Sequence, residues 1–170
     1  MTDEEKFAIN EAGYDRIVRS FGIVRKSLSL NIKAHHEDGL IEQGQIFLFN
    51  HFARFETIIP PFLIHKVTGS YCRSIADSAL FETSEGFDKL LRGAGAIPNN
   101  QPGLLAFLAA EILRGRKVVV FPEGGMVKDR RVLDDVGGYS AFSRTSKTRR
   151  KHHLGGAVLA LTLDIFKRRI

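Results

Sequence analysis

Pro102-Gly103-Leu104-Leu105-Ala106-Phe107-Leu108-Ala109-Ala110-Glu111-Ile112-Leu113-Arg114-Gly115-Arg116-Lys117-Val118-Val119-Val120-Phe121 decides the fold. Pro102-Gly103 is a turn dipeptide. Leu104 to Arg114 forms a strongly apolar helix that Gly115 stops, and Lys117 to Phe121 follows with the length and β-branching of a buried strand. The same alternation recurs upstream. Gln45-Ile46-Phe47-Leu48-Phe49 after Gly44 reads as a buried strand. Thr57 to His65 reads as a helix with Pro60 and Pro61 in its first turn, where no backbone donor is needed. Tyr71 to Ala76 is a strand, Glu85 to Leu91 a short helix, and Ala94 to Ile97 the approach to a further strand. Helices and strands in this order predict a single α/β domain with a mainly parallel β-sheet flanked by helices, its site at the carboxyl ends of the strands.

Two of these strands end abruptly in chemistry-bearing residues. The first runs into Asn50-His51-Phe52-Ala53-Arg54-Phe55-Glu56. An imidazole at a strand end can act as a general base if a carboxylate holds its other nitrogen, and Glu56 is the nearest candidate. On one continuous helix the two would stand roughly 140° apart, so they meet only where the chain turns between them. A His near a Glu is more often an ordinary surface pair, and the spacing by itself does not decide. The second strand runs into Pro122-Glu123-Gly124-Gly125.

Taken together, Asn50-His51-x4-Glu56 and Phe121-Pro122-Glu123-Gly124 resemble the glycerolipid acyltransferase family, whose first motif is Asn-His-x4-Asp and whose third is Phe-Pro-Glu-Gly. Ala79-Leu80-Phe81 and Gly93-Ala94-Gly95-Ala96-Ile97-Pro98 resemble a weakened second motif. The similarity spans roughly residues 30–163. The resemblance implies transfer of a fatty acyl group from acyl-CoA or acyl-carrier protein (acyl-ACP) to a hydroxyl of glycerol 3-phosphate, lysophosphatidate or a related acceptor. His51 would be the base and Glu56 its orienting carboxylate, with direct attack on the thioester and no acyl-enzyme. Asn50, Arg54, Phe121, Pro122, Glu123, Gly124, Gly125, Lys128 and Arg130 would form the substrate site, with no metal and no bound cofactor. Glu123 either accepts a hydrogen bond from an acceptor hydroxyl or braces its loop. Three positions depart from the family pattern. Glu56 replaces Asp, Asn99-Asn100-Gln101 stand where the second motif closes on Arg, and Gly125-Met126-Val127 replace Thr-Arg-Ser. Lys128 or Arg130 would then supply the phosphate contact.

Composition bounds the partners. The chain has 170 residues, 44% of them hydrophobic, enough for one core. Against 19 Asp and Glu stand 25 Lys and Arg, and the net charge of +6 favours anionic partners: substrate phosphates, coenzyme phosphates or acidic headgroups. Cys72 is the only cysteine, which excludes an internal disulfide framework and a Cys-based metal cage; it reads as a small packed residue. The acidic start, Met1-Thr2-Asp3-Glu4-Glu5-Lys6, has no apolar core of a secretory signal, and no window approaches 18 apolar residues. The expectation is a cytoplasmic protein, peripheral at the inner face of a membrane.

The remaining segments are read as follows. Residues 1–27 carry an N-terminal amphipathic helix, from Glu4 to about Lys26, either packed on the core or docked on a membrane through Arg16, Arg19, Arg25 and Lys26. Residues 28–170 form the acyltransferase-like domain. Leu28 to His36 alternates as a half-buried strand, closed by a turn at Glu37-Asp38-Gly39. His35 and His36 would face opposite sides of that strand, so they are surface residues rather than a metal pair. Gly93-x-Gly95 fails as a dinucleotide loop because Pro98 falls where its third glycine would be. Arg144, Lys147, Arg149, Arg150, Lys151, His152 and His153 are either a solvated loop or an electrostatic funnel for phosphates. They lack interleaved aromatics, which ranks nucleic acid low among partners. Gly155 to Ile170 is a final apolar helix, and the family's fourth motif would lie beyond it, so the chain is expected to be truncated. The competing function is a lipid- or anion-binding domain that has kept the scaffold and lost turnover.

Overall fold

The computed structural model describes residues 7–32, 40–49, 58–122 and 154–169. Four strands, β1 (Ile46–Leu48), β2 (Cys72–Ala76), β3 (Ala96–Pro98) and β4 (Lys117–Val120), pair in parallel in the order β1-β4-β2-β3. Helices α1 (Glu11–Ser27), α2 (Leu40–Gln43), α3 (Ile59–Thr68), α4 (Ser78–Phe81), α5 (Glu85–Gly93), α6 (Leu104–Leu113) and α7 (Gly155–Lys167) complete the described chain. This is a single α/β domain with an all-parallel sheet between helices.

The alternation within β4 shows how the layers form. Val118 and Val120 point to one face and join Ile97, Leu108, Ile112, Leu159 and Leu163, the core under α6 and α7. Val119 points to the other face and packs with Cys72 and with Ile64 of α3. Farther along that second face Leu91 of α5 covers Ala76 and Ala96. Two crossovers in one direction across the sheet, β1 to β2 and β2 to β3, thus place α3 and α5 on the same face. The return crossover, β3 to β4, places α6 on the opposite face, as a constant crossover hand requires.

Several elements differ from the sequence expectations. The N-terminal helix begins at Glu11, not Glu4, because Asn10 caps it: its Oδ1 accepts from Gly13 N at 3.0 Å. Phe7 lies before the cap and inside the core at 4% exposure. No strand follows over Leu28–Ile32. Leu28 N donates to Val24 O and Leu30 N to Arg25 O, with Ser29 in the left-handed region at φ 52, so helix closure uses the backbone groups a strand would need. Residues 33–39, with His35 and His36, lie outside the described residues. β1 is an edge strand rather than a buried one among the described residues, and Leu48 is 60% exposed. α3 runs on to Thr68, three residues past His65, and ends at Gly69 with φ 70.

Inside this frame one ion pair crosses between sheet and helix. Arg73 of β2 and Glu111 of α6 are 2% and 1% exposed, and Arg73 Nε donates to Glu111 Oε2 at 2.6 Å. Arg73 Nη2 also donates to Phe7 O at 2.6 Å, which ties down the segment before α1. Arg114 and Arg116 donate to the other carboxylate oxygen of Glu111. Burial pushes the Glu111 carboxyl up, but Arg73 beside it and then Arg116 pull it further down, and it ends below the usual carboxylate value.

Candidate functional site

The carboxyl edge of the sheet is built by β1 and β4 in exact register: Leu48 stands opposite Val120, and Phe49 N donates to Val120 O at 3.0 Å. The chain leaving β1 reaches α3 on the face of Val119, and the chain leaving β4 reaches α7 on the face of Val118 and Val120. In open parallel sheets, ligands bind at the carboxyl ends of neighbouring strands whose connections lead to opposite faces.

Phe49 and Phe121 floor this edge. Both are partly buried against Ile64, Cys72 and Val119, so the aromatic residue that follows each strand is held by the same small cluster on the α3 face. Pro122, also part-exposed, is the last described residue on the β4 side. Asn50, His51, Arg54 and Glu56 on one chain, and Glu123, Gly124, Gly125, Lys128 and Arg130 on the other, lie outside the described residues. The basic run from Arg144 to His153 does too. Of the expected site, the structure therefore places Phe121 and Pro122, and it places the two strand ends from which the other residues follow in sequence.

Positions resembling the second motif sit beside this edge. Asn99 follows β3; its backbone N donates to Ala76 O at 2.9 Å and its Oδ1 accepts from Ser78 N at 3.2 Å. Asn99 thereby joins the carboxyl ends of β2 and β3, a bracing role that a guanidinium could not copy because it has no acceptor. Asp77 Oδ1 accepts from Ala79 N at 3.1 Å and caps α4, whose Phe81 packs on Ala76, Leu91 and Ala96.

Lys117, a charge away from the edge, has structural partners. Lys117 Nζ donates to Glu42 O and Gly44 O at 2.8 and 2.5 Å, at the amino end of β4. Cys72 is fully buried, its backbone N donates to Tyr14 OH at 3.3 Å, and burial pushes its thiol up to about 12. Burial likewise raises the Tyr14 hydroxyl. Among the described residues no three His, Cys, Asp or Glu side chains gather to hold a metal ion, and no helix is long and apolar enough to cross a membrane.

Sequence reasoning overlooked the Arg73–Glu111 pair and saw Asn99 only as a departure from the second motif, not as a brace between strand ends. A lone Arg inside a strand and a lone Glu inside an apolar helix were the available signal for the first, since a charge in an apolar run needs a partner. Nothing local marks Asn99, whose partners come from the preceding strand end.

A comparison with protein-family models matches residues 31–158 to one described as acyltransferase. The searches of curated proteins and of solved structures gave no match.

Proposed function

The chain belongs to the acyltransferase family, and on that premise we propose that it moves a fatty acyl group from acyl-CoA or acyl-ACP to a hydroxyl of a phosphorylated glycerol or lysophospholipid. The observation that carries this reading is the register of Leu48 with Val120. The segment holding His51 and Glu56 and the segment holding Glu123 to Gly125 start from adjacent strand ends at one sheet edge. Residues 71 positions apart in sequence, Phe49 and Val120, already share a hydrogen bond there.

In this reading His51 takes the proton of the acceptor hydroxyl as its oxygen attacks the thioester carbonyl. Collapse of the tetrahedral adduct expels the thiolate, and the imidazolium returns the proton to it. Glu56 accepts from the other ring nitrogen and stabilises the cation. Its extra methylene, relative to Asp, requires the loop between the two residues to differ in shape. Gly124 and Gly125 let backbone amides approach phosphate oxygens, and Lys128 or Arg130 supplies the positive charge. Asn50 and Arg54 are assigned to substrate binding with His51, and the protein works at the cytoplasmic surface of a membrane. Thiol release from palmitoyl-CoA, measured with a panel including glycerol 3-phosphate and lysophosphatidate, tests the reading. Acceptor-dependent release supports it; donor hydrolysis without acceptor dependence, or no release, refutes it.

A further inference from the structure

His65 stands where α1, α3 and β2 meet, and its two ring nitrogens face unlike groups. Nδ1 lies 3.0 Å from Ser70 O in the turn after α3, and Nε2 lies 3.8 Å from Asp15 Oδ1 on α1. A carbonyl oxygen only accepts, so Nδ1 carries the hydrogen of the neutral ring and donates to Ser70. Nε2 then presents a lone pair to a carboxylate, and two acceptors face each other. A second proton on the ring reverses this. Nε2 becomes an N–H facing Asp15, the bond to Ser70 is kept, and the pair becomes ionic.

The ring is 16% exposed and held by aromatic neighbours: it stacks on Tyr71 and tilts against Tyr14, each at 5.2 Å between centroids. Tyr14 OH in turn accepts from Cys72 N at 3.3 Å, so the residue beside Asp15 on α1 pins the amino end of β2. Among the described residues, titratable groups reach this site from each element packed there. α1 brings Asp15, Tyr14 and, one turn earlier, Glu11; the strand side brings Tyr71 and Cys72; α3 itself brings Lys66. Desolvation, then Asp15 and Glu11, push the Tyr71 hydroxyl up, and burial raises Tyr14 and Cys72, so all three stay neutral to pH 8. Carboxylates and lysines ordinarily keep one charge from about pH 5 to 8, whereas histidine changes its charge within that range.

We propose that His65 and Asp15 form a pH-sensitive latch, which holds α1 against α3 and seats Tyr14 on Cys72 more tightly once the ring carries both protons. In acid the bridge between the helices is an ion pair; as pH rises and the ring loses its second proton, only ring packing and the Ser70 bond remain. Asp15 is 44% exposed, so solvent screens the pair and its effect is modest. The latch lies at the amino end of β2, away from the carboxyl edge, and does not depend on the transfer reading.

The test is amide hydrogen exchange on the full chain, followed by NMR, because the Cys72 N–H is bound to the Tyr14 hydroxyl and reports its release. Protection of Cys72 is taken relative to Val118, whose N–H donates to Gln45 O within the sheet, at about pH 5.5 and about pH 7.5. In wild type the ratio should be about threefold higher at the lower pH, the size of an exposed ion pair, and high salt should shrink the gain. Asp15→Asn keeps the side chain's size and removes its charge, so the gain should vanish; His65→Gln should show none either. Glu11→Gln should keep it. Asp15 is half-exposed, so Asp15→Asn decides the matter even if His65→Gln fails to fold. The proposal is overturned if the wild-type ratio is the same at both pH values, which includes Val118 gaining protection in step with Cys72. It is also overturned if Asp15→Asn retains the gain, or if Glu11→Gln abolishes it.

Discussion

Leu48 and Val120 stand opposite each other as the last residues of adjacent parallel strands, and the next bond along, Phe49 N to Val120 O, is the last rung between them among the described residues. If the reaction depends on that juxtaposition, moving one motif by a single residue should disable it. An alanine inserted between Phe49 and Asn50 leaves every described rung in place. It should lower kcat/KM at least about 10²-fold, because an ångström-scale misplacement costs that much. Circular dichroism should show an unchanged melting temperature. Retained activity would mean that the strand ends do not position the chemistry.

Arg73 and Glu111 are each buried with the other as partner, so removing one strands the other. Glu111→Ala should cost about 3–5 kcal/mol in urea denaturation, while Arg73→Met combined with Glu111→Leu should come much closer to wild type. The pH dependence follows from the lowered carboxyl of Glu111. A carboxyl that ionises more readily folded than unfolded contributes stability above its unfolded value, and this is lost as pH falls through the folded one. Wild type should therefore lose stability on acidification more steeply than Glu111→Gln. Parallel acid limbs would contradict the assignment.

Cys72 works in the opposite direction. Burial raises its thiol from 9.0 to about 12, so the unfolded thiol ionises first as pH climbs. Its contribution is complete below 9.0 and disappears toward 12, with Tyr14 adding in the same sense. Cys72→Ala should flatten the alkaline limb of the stability curve. A thiol reagent such as Ellman's should label Cys72 only as fast as the domain opens, accelerating with urea; rapid labelling of native protein would refute its burial.

Gly95 has φ +82, and a Cβ there would sit 2.2 Å from Cys72 O, a backbone atom that cannot swing aside. Gly95→Ala should destabilise by at least about 2 kcal/mol, from left-handed strain plus the shift between β2 and β3. A chemical melt checks this, and an unchanged midpoint would contradict the close approach.

Much of the sheet could be read from the chain because its strands are short apolar runs bounded by Gly and Pro, as at Gly115 before Lys117 and Gly69 before Cys72. What failed did so where pairing, not composition, decides. Leu28 to Ile32 alternates like a strand, yet it spends its backbone groups closing α1. β1 looks as apolar as β4, but its place at the edge leaves Leu48 open. At the candidate site, the sequence could supply the residue types and their order, while the adjacency of β1 and β4 depends on a crossover order with no local signature. Phe121 and Pro122 follow β4 directly; His51, Glu56 and the Glu123 segment lie outside the described residues.

In the proposed reaction His51 is the base of acyl transfer to the acceptor hydroxyl. The most direct measurement is single-turnover thiol release from palmitoyl-CoA with a saturating acceptor, comparing wild type, His51→Ala and Glu56→Asp. Acceptor-dependent release that falls about 10²–10⁴-fold in folded His51→Ala, with a smaller change in Glu56→Asp, is the predicted result. Release that persists in His51→Ala at the wild-type rate would rule His51 out as the base.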